Sequence, residues 1–87
     1  MQESMRALSD PTRRNILHLL KERERTVGEI AGQFDMSMPA ISKHLSILQS
    51  AGLIRERREG KYVYCELNAS VLEEVLLWLR ELKGETV

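Results

Sequence analysis

Residues 26–54, TVGEIAGQFDMSMPAISKHLSILQSAGLI, hold two helix-start signals close together. Thr26 and Glu29 form a capping box, in which hydroxyl and carboxylate satisfy free backbone donors of the first turn. Val27, Ile30, Ala31 and Phe34 follow at helical spacing as a buried side. The short DMS comes next, and Ser37 supplies a second N-cap. Ile41, Leu45 and Leu48 then form one apolar stripe. The helix ends at Ala51–Gly52, where glycine can take the left-handed conformation that closes a helix. Two helices joined by about three residues make a helix-turn-helix, here over residues 26–51.

The flanking segments extend the pattern. Met1, Met5 and Leu8 recur at i, i+4 and i+7, which predicts a short first helix. In SDPTRRNILHLL, Asp10 is an N-cap and Pro11 stands at the first helical position. Ile16, Leu17, Leu19 and Leu20 make that helix's buried side; Arg14, His18 and Lys21 fall on its wet side. KERER reads as a solvated helix end and loop. Beyond Gly52, Leu53–Arg58 and Lys61–Leu67 read as two strands around Glu59–Gly60. Val63, Cys65 and Leu67 share one face of the second strand; Tyr62, Tyr64 and Glu66 share the other. A basic hairpin behind a helix-turn-helix is a wing, here residues 53–67. The predicted fold is mainly α with a small β-hairpin, a winged helix-turn-helix in the order α-α-α-α-β-β-α.

Eighty-seven residues make one small domain, 1–87. A chain of that size buries only about 60–65% of its unfolded surface, and small domains often gain stability by dimerising. No apolar run approaches the roughly 18 residues of a membrane span, so membrane insertion is not expected. MQESMRALSD has no apolar signal-peptide core. The single cysteine, Cys65, excludes an intrachain disulfide, and a cytoplasmic location is expected.

The second helix of the pair has an unusual outer side. Pro39, Ala40, Lys43, Ser46 and Ser50 are short apart from one lysine, and carry no negative charge. A solvated helix face is ordinarily rich in long charged residues. The chain is neutral overall, with 13 basic and 13 acidic residues, but the charge is segregated. Residues 37–62 carry five basic and two acidic residues; residues 63–87 carry two basic and five acidic ones. The segregation is either chance or the mark of a surface that meets a polyanion. A helix entering the DNA major groove must bring its surface within hydrogen-bond reach of base edges. Short Ser and Ala permit that approach, Ala40 or Pro39 can touch a thymine methyl, and Lys43 can donate to guanine or phosphate. The positive end of the helix dipole, at Ser37, suits a phosphate. The alternative is a helix packed on another protein chain.

ALSDPTRRNILHLL, TVGEIAGQFDMSMPAISKHLSILQSAGLI and RREGKYVYCEL together resemble the ArsR/SmtB family of bacterial winged-helix repressors over nearly the whole chain. The similarity is greatest to a small branch without metal motifs, which includes autorepressors of the sporulation-delay type. It implies a homodimer that binds double-stranded operator DNA of two-fold symmetry and represses transcription, and it admits autoregulation of its own operon. Carried over position by position, the DNA-binding residues are Ser37, Met38, Pro39, Ser42, Lys43 and His44, with Ala40 added from the groove argument. Ser42 and His44 fall at the margins of the apolar stripe, so they reach phosphate or, for His44, bond within the domain. Arg57, Arg58, Lys61 and Tyr62 match the wing; the alternative there is a solvated hairpin tip.

Metal sensors of the family carry a cysteine pair on the helix before the recognition helix, or His, Asp and Glu on the last helix. TVGEIAGQF has no cysteine, and SVLEEVLLWLRELKG has neither His nor Asp. A closed zinc site needs about four ligands, so no metal and no cofactor are expected. Cys65 reads as a small core residue. The sequence holds no nucleophile–base set, no paired carboxylates in a plausible pocket and no phosphate-binding glycine loop, so an enzyme is not expected. The competing reading is a winged helix that binds protein instead of DNA.

From residue 71 to 82, Val71, Leu72, Val75, Leu76, Trp78, Leu79 and Leu82 span about 160° of the helical wheel, with Leu77 outside the arc. A helix packed on one side of a core needs an arc nearer 100°. The surplus wants a second partner: either another copy of the chain, met through residues 70–83 and Met1, Met5 and Leu8 of residues 1–9, or the rest of the same chain. The family resemblance implies the dimer. With no sensor site in view, a regulatory protein partner or simple autoregulation is the expected means of control.

Overall fold

The computed structural model describes residues 1–85. Its elements are α1 (Gln2–Leu8), α2 (Pro11–Glu22), β1 (Arg25–Thr26), α3 (Val27–Gly32), α4 (Met38–Ser50), β2 (Ile54–Glu59), β3 (Tyr62–Leu67) and α5 (Ala69–Leu82). The helix starts follow the local chemistry. The Asp10 carboxylate accepts the Arg13 N–H, Ser37 Oγ accepts the Ala40 N–H, and Thr26 and Glu29 complete the capping box. Gly52, at φ +76°, closes α4, and a methyl group there would also crowd the Val71 side chain.

Alternation of helix periods places one apolar side from each of α2, α3 and α4 in a common core with β2 and β3. Ile16, Leu17, Leu20, Ile30, Ile41, Leu45, Leu48, Leu53, Ile54 and Cys65 are buried there with Ala7. Each large aliphatic side chain so removed from water contributes about 1.5–3 kcal/mol. Leu8, Val71 and Leu72 pack partly buried against this core.

The sheet has three strands rather than the two of a hairpin. Its order is β1-β3-β2, all antiparallel, with Arg25 opposite Cys65 and Thr26 opposite Tyr64. The end of KERER is therefore a strand, not loop. Pairing there satisfies the otherwise open edge of β3 and lets Thr26 end a strand and cap α3 at once. The wing strands each start one residue later than the sequence predicts. The last helix begins at Ala69 because Asn68 caps it, accepting the Ser70 N–H and donating to the Gly52 carbonyl at 2.9 Å.

Helix α1 is only seven residues long, too short to persist alone. Two arginines of α2 hold its end. Arg13 donates to the Arg6 and Ala7 carbonyls, and Arg14 to the Leu8 carbonyl at 2.7 Å. The Ala7 and Leu8 carbonyls are last-turn acceptors without a helical donor, the Arg6 carbonyl also accepts from the Ser9 N–H and hydroxyl, and cations there also suit the dipole.

Helix α5 divides in two. Val75 is buried, 7% exposed, whereas every residue from Leu76 to Glu85 is exposed. Leu76, Leu77, Trp78, Leu79 and Leu82 thus stand on a helix end clear of the body. No helix among the described residues is long and apolar enough to cross a membrane.

Candidate nucleic-acid interface

Helix α4 rests on Ile41, Leu45 and Leu48, which are buried. That stripe turns Ser37, Met38, Pro39, Ser42 and Lys43 outward, all exposed, with Ala40 half-buried between them. Pro39 costs nothing in the first turn, where its missing N–H has no helical partner. Ser42, placed by its spacing at the margin of the core, is exposed. It lines a concavity of about 450 Å³ together with Thr26, Val27, Gly28, Leu45, Glu56, Lys61, Tyr62 and Val63. The fold therefore brings the outer side of α4 and the tip of the wing to one surface.

The wing residues divide by strand register. Arg57 pairs with Tyr64 and Arg58 with Val63 across the hairpin, so the two arginines lie on opposite faces of the sheet. Arg57 is engaged within the chain. Its Nη2 donates to Glu24 at 2.8 Å, its Nη1 to Glu59, and its guanidinium lies 4.8 Å from the Tyr64 ring centroid. The hydrogen bonds to Glu24 and then Glu59 hold its pKa above the ordinary arginine value. Both partners are carboxylates, which offsets the charge that a phosphate contact would need. Lys43, Arg58 and Lys61 have no carboxylate within ion-pair distance among the described residues. Lys61 Nζ sits 5.4 Å from the Tyr62 ring centroid, and Tyr62 is half-exposed.

His44 falls on the inner margin of α4. Its side chain is 17% exposed, and Nδ1 lies 3.3 Å from Arg13 Nη1 and 3.9 Å from Asp10 Oδ2. Of the two readings open for His44, these contacts match the bond within the domain. The sequence reading missed Arg13, although it lies three, four and seven residues before Ile16, Leu17 and Leu20 on the buried stripe of α2. A charged residue on that stripe was the available signal.

The surfaces expected to face a second chain are placed unevenly. Met1, Met5, Leu76, Trp78, Leu79 and Leu82 are exposed, Leu82 at 69%. Leu8, Val71 and Leu72 are half-buried on the chain's own core, and Val75 is buried in it. The wide apolar arc is thus shared: its first half serves the fold, and its second half is left without a partner among the described residues. Cys65 is fully buried. Burial and the charge of Glu56 raise its thiol pKa to about 11. No group of three or more His, Cys, Asp or Glu side chains that could hold a metal ion occurs among the described residues.

Residues 10–56, which run from the α2 cap into the wing, match the family model described as bacterial regulatory protein, arsR family. The chain is 46% identical over 79 residues to the transcriptional repressor SdpR of Bacillus subtilis (strain 168), covering 91% of this chain and 88% of that one. The fold superposes with a TM-score of 0.90 on the crystal structure of an ArsR family transcriptional regulator at 35% identity, covering 95% of this chain and 86% of the other. An ArsR-like transcriptional regulator from Rhodococcus sp. RHA1 gives a TM-score of 0.91 at 28% identity, covering 95% and 76%. The chain belongs to the arsR family of bacterial regulatory proteins.

Proposed function

We propose that this chain is a sequence-specific transcriptional repressor that binds double-stranded DNA as a homodimer on an operator of two-fold symmetry. The observation that carries the reading is the outer face of α4. It is largely exposed, made mostly of short side chains, free of acid, and joined across one concavity to Lys61 of the wing, a cation with no carboxylate within ion-pair distance among the described residues. Ser37, Met38, Pro39, Ala40, Ser42 and Lys43 are assigned to the major groove, and Arg58, Lys61 and Tyr62 to the flanking backbone. Short side chains let the helix approach base edges, and Lys43 supplies a donor for guanine or phosphate. The wing cations act on the phosphates and so add affinity without reading sequence.

The dimer is assigned to Met1 and Met5 of α1 and to Leu76, Trp78, Leu79 and Leu82 of α5. Their exposure on a projecting helix supports this, since a large apolar patch on a soluble protein marks an interaction site. Control is assigned to protein concentration or to a regulatory protein partner, independent of metal. The spread of the two histidines over different helices and the burial of Cys65 support that assignment.

The test is a fluorescence-anisotropy titration of the purified chain with a duplex that it selects from a random pool, and with a shuffled duplex, at two salt concentrations. The reading predicts preference for the selected duplex and a steep loss of affinity with salt. Binding to neither duplex would leave a protein-binding winged helix.

A further inference from the structure

The apolar stripe of α4 resists separation from the core, but apolar contact has no direction. The stripe decides which side of α4 faces the core; a directional polar contact can hold the rotation more closely within that limit. One polar group under α4 has the geometry for this. Arg13, 9% exposed, donates from Nε to the Ala7 carbonyl at 2.9 Å and from Nη2 to the Arg6 carbonyl at 3.2 Å. Its Nη1 meets His44 Nδ1 at 3.3 Å. A guanidinium has donors only, so the imidazole nitrogen facing it is the acceptor and the ring proton sits on Nε2. Asp10 closes the cluster: Oδ2 accepts the Arg13 N–H at 3.0 Å and stands 3.9 Å from His44 Nδ1. One buried cation therefore ties the end of α1 to the middle of α4.

Resting on the DNA-binding reading of α4, we infer that His44 is a positioning residue rather than a DNA contact. Through Nδ1 and Arg13 it sets the rotation of α4 against α1, and so the angle at which the Lys43 face meets the groove. The same link makes the pose of α4 depend on α1, one of the two helices assigned to the dimer. A change in how the subunits meet then reaches the DNA face through Arg13, alongside the direct packing of α1 on α4.

The two ring nitrogens can be tested separately, because amide side chains copy one or the other. The side-chain oxygen of Asn stands where Nδ1 stands; the side-chain nitrogen of Gln stands near Nε2. His44→Ala is expected to weaken binding to the selected duplex about tenfold, the worth of one hydrogen bond to a charged group, with little change on the shuffled duplex. His44→Asn is expected to restore most of that affinity and His44→Gln to restore little. Rescue by Gln and not by Asn, or an equal loss on both duplexes, would mean that Nε2 touches DNA and would overturn the inference alone. A wild-type chain that selects no duplex would overturn it together with the DNA-binding reading. Nitrogen-15 spectra of the imidazole in the free protein give an independent check at a pH where the ring is neutral. A bare Nδ1 supports the inference; a proton on Nδ1 overturns it, whatever the DNA result.

Discussion

Arg57 of the wing and Glu24, in the turn before β1, are joined at 2.8 Å across 33 positions of the chain. The contact pins the hairpin to the end of α2. It also removes one of the wing's cations from the phosphate-binding account, because Glu59 holds the other side of the same guanidinium. Arg58, on the opposite face of the strand, has no such partner among the described residues. Replacing Arg58 with Ala should therefore weaken binding to any duplex and lower the salt slope by about 1, whereas Arg57→Ala should leave the slope unchanged. Anisotropy titrations over a salt series measure both. A loss of slope confined to Arg57→Ala would reverse the assignment.

The exposed half of α5 predicts a dimer with a sharp boundary along the helix. Leu76→Glu and Leu79→Glu would each place a charge in the interface and dissociate it, at a cost of several kcal/mol in desolvation. Val75→Ala, one position before the boundary, should instead lower the thermal stability of the fold, because its methyl groups are buried within one chain. Sedimentation and thermal melts separate the two effects. An unchanged dimer in both glutamate variants would rule out this face.

Asp10 makes stability sensitive to acid. The Arg13 N–H, and to a lesser degree the charge of Arg13, hold its carboxyl below the ordinary value of 3.8. A carboxyl depressed by folding adds stability above its unfolded pKa and loses it as pH falls through the folded one. Asn caps a helix about as well as Asp, so Asp10→Asn removes the charge and keeps the cap. The stability gap between wild type and Asp10→Asn should be present at about pH 5 and close towards about pH 2. Urea midpoints across that range check it; a gap that widened in acid would contradict the pairing.

Cys65 should be chemically quiet. It is fully buried, and with its thiol near 11 almost no thiolate exists at neutral pH. Labelling by an aromatic disulfide reagent should be about a hundredfold slower in the native protein than in urea. Rapid native labelling, or a disulfide between subunits under mild oxidation, would show that the residue is within reach of solvent.

The helix-turn-helix was legible in the sequence because it is encoded locally. Thr26 with Glu29, Ser37, and Gly52 each act on backbone groups within a few residues. The features that were not legible depend on distant partners. Arg25–Thr26 is too short to show a strand period, and it is a strand only because Tyr64 and Cys65 lie beside it. Arg13 is buried because the carbonyls of α1 and the His44 ring receive its donors. Hydrophobic periodicity cannot report that, although it can report that the position lies on the stripe. The apolar arc of the last helix was legible as too wide for one core. The point where it changes partner, between Val75 and Leu76, depends on how far the body of the fold extends.

The central claim is that two copies of α4 read one duplex through the major groove. Interference mapping with methylated guanines, on the duplex selected by the wild-type chain, tests this most directly. The methyl groups stand at N7, in the major groove, where the Lys43 side of α4 is assigned. The account predicts two clusters of interference about one helical turn, or roughly 34 Å, apart on one side of the duplex. A single cluster, or strong binding undisturbed by any major-groove methyl group, would contradict it.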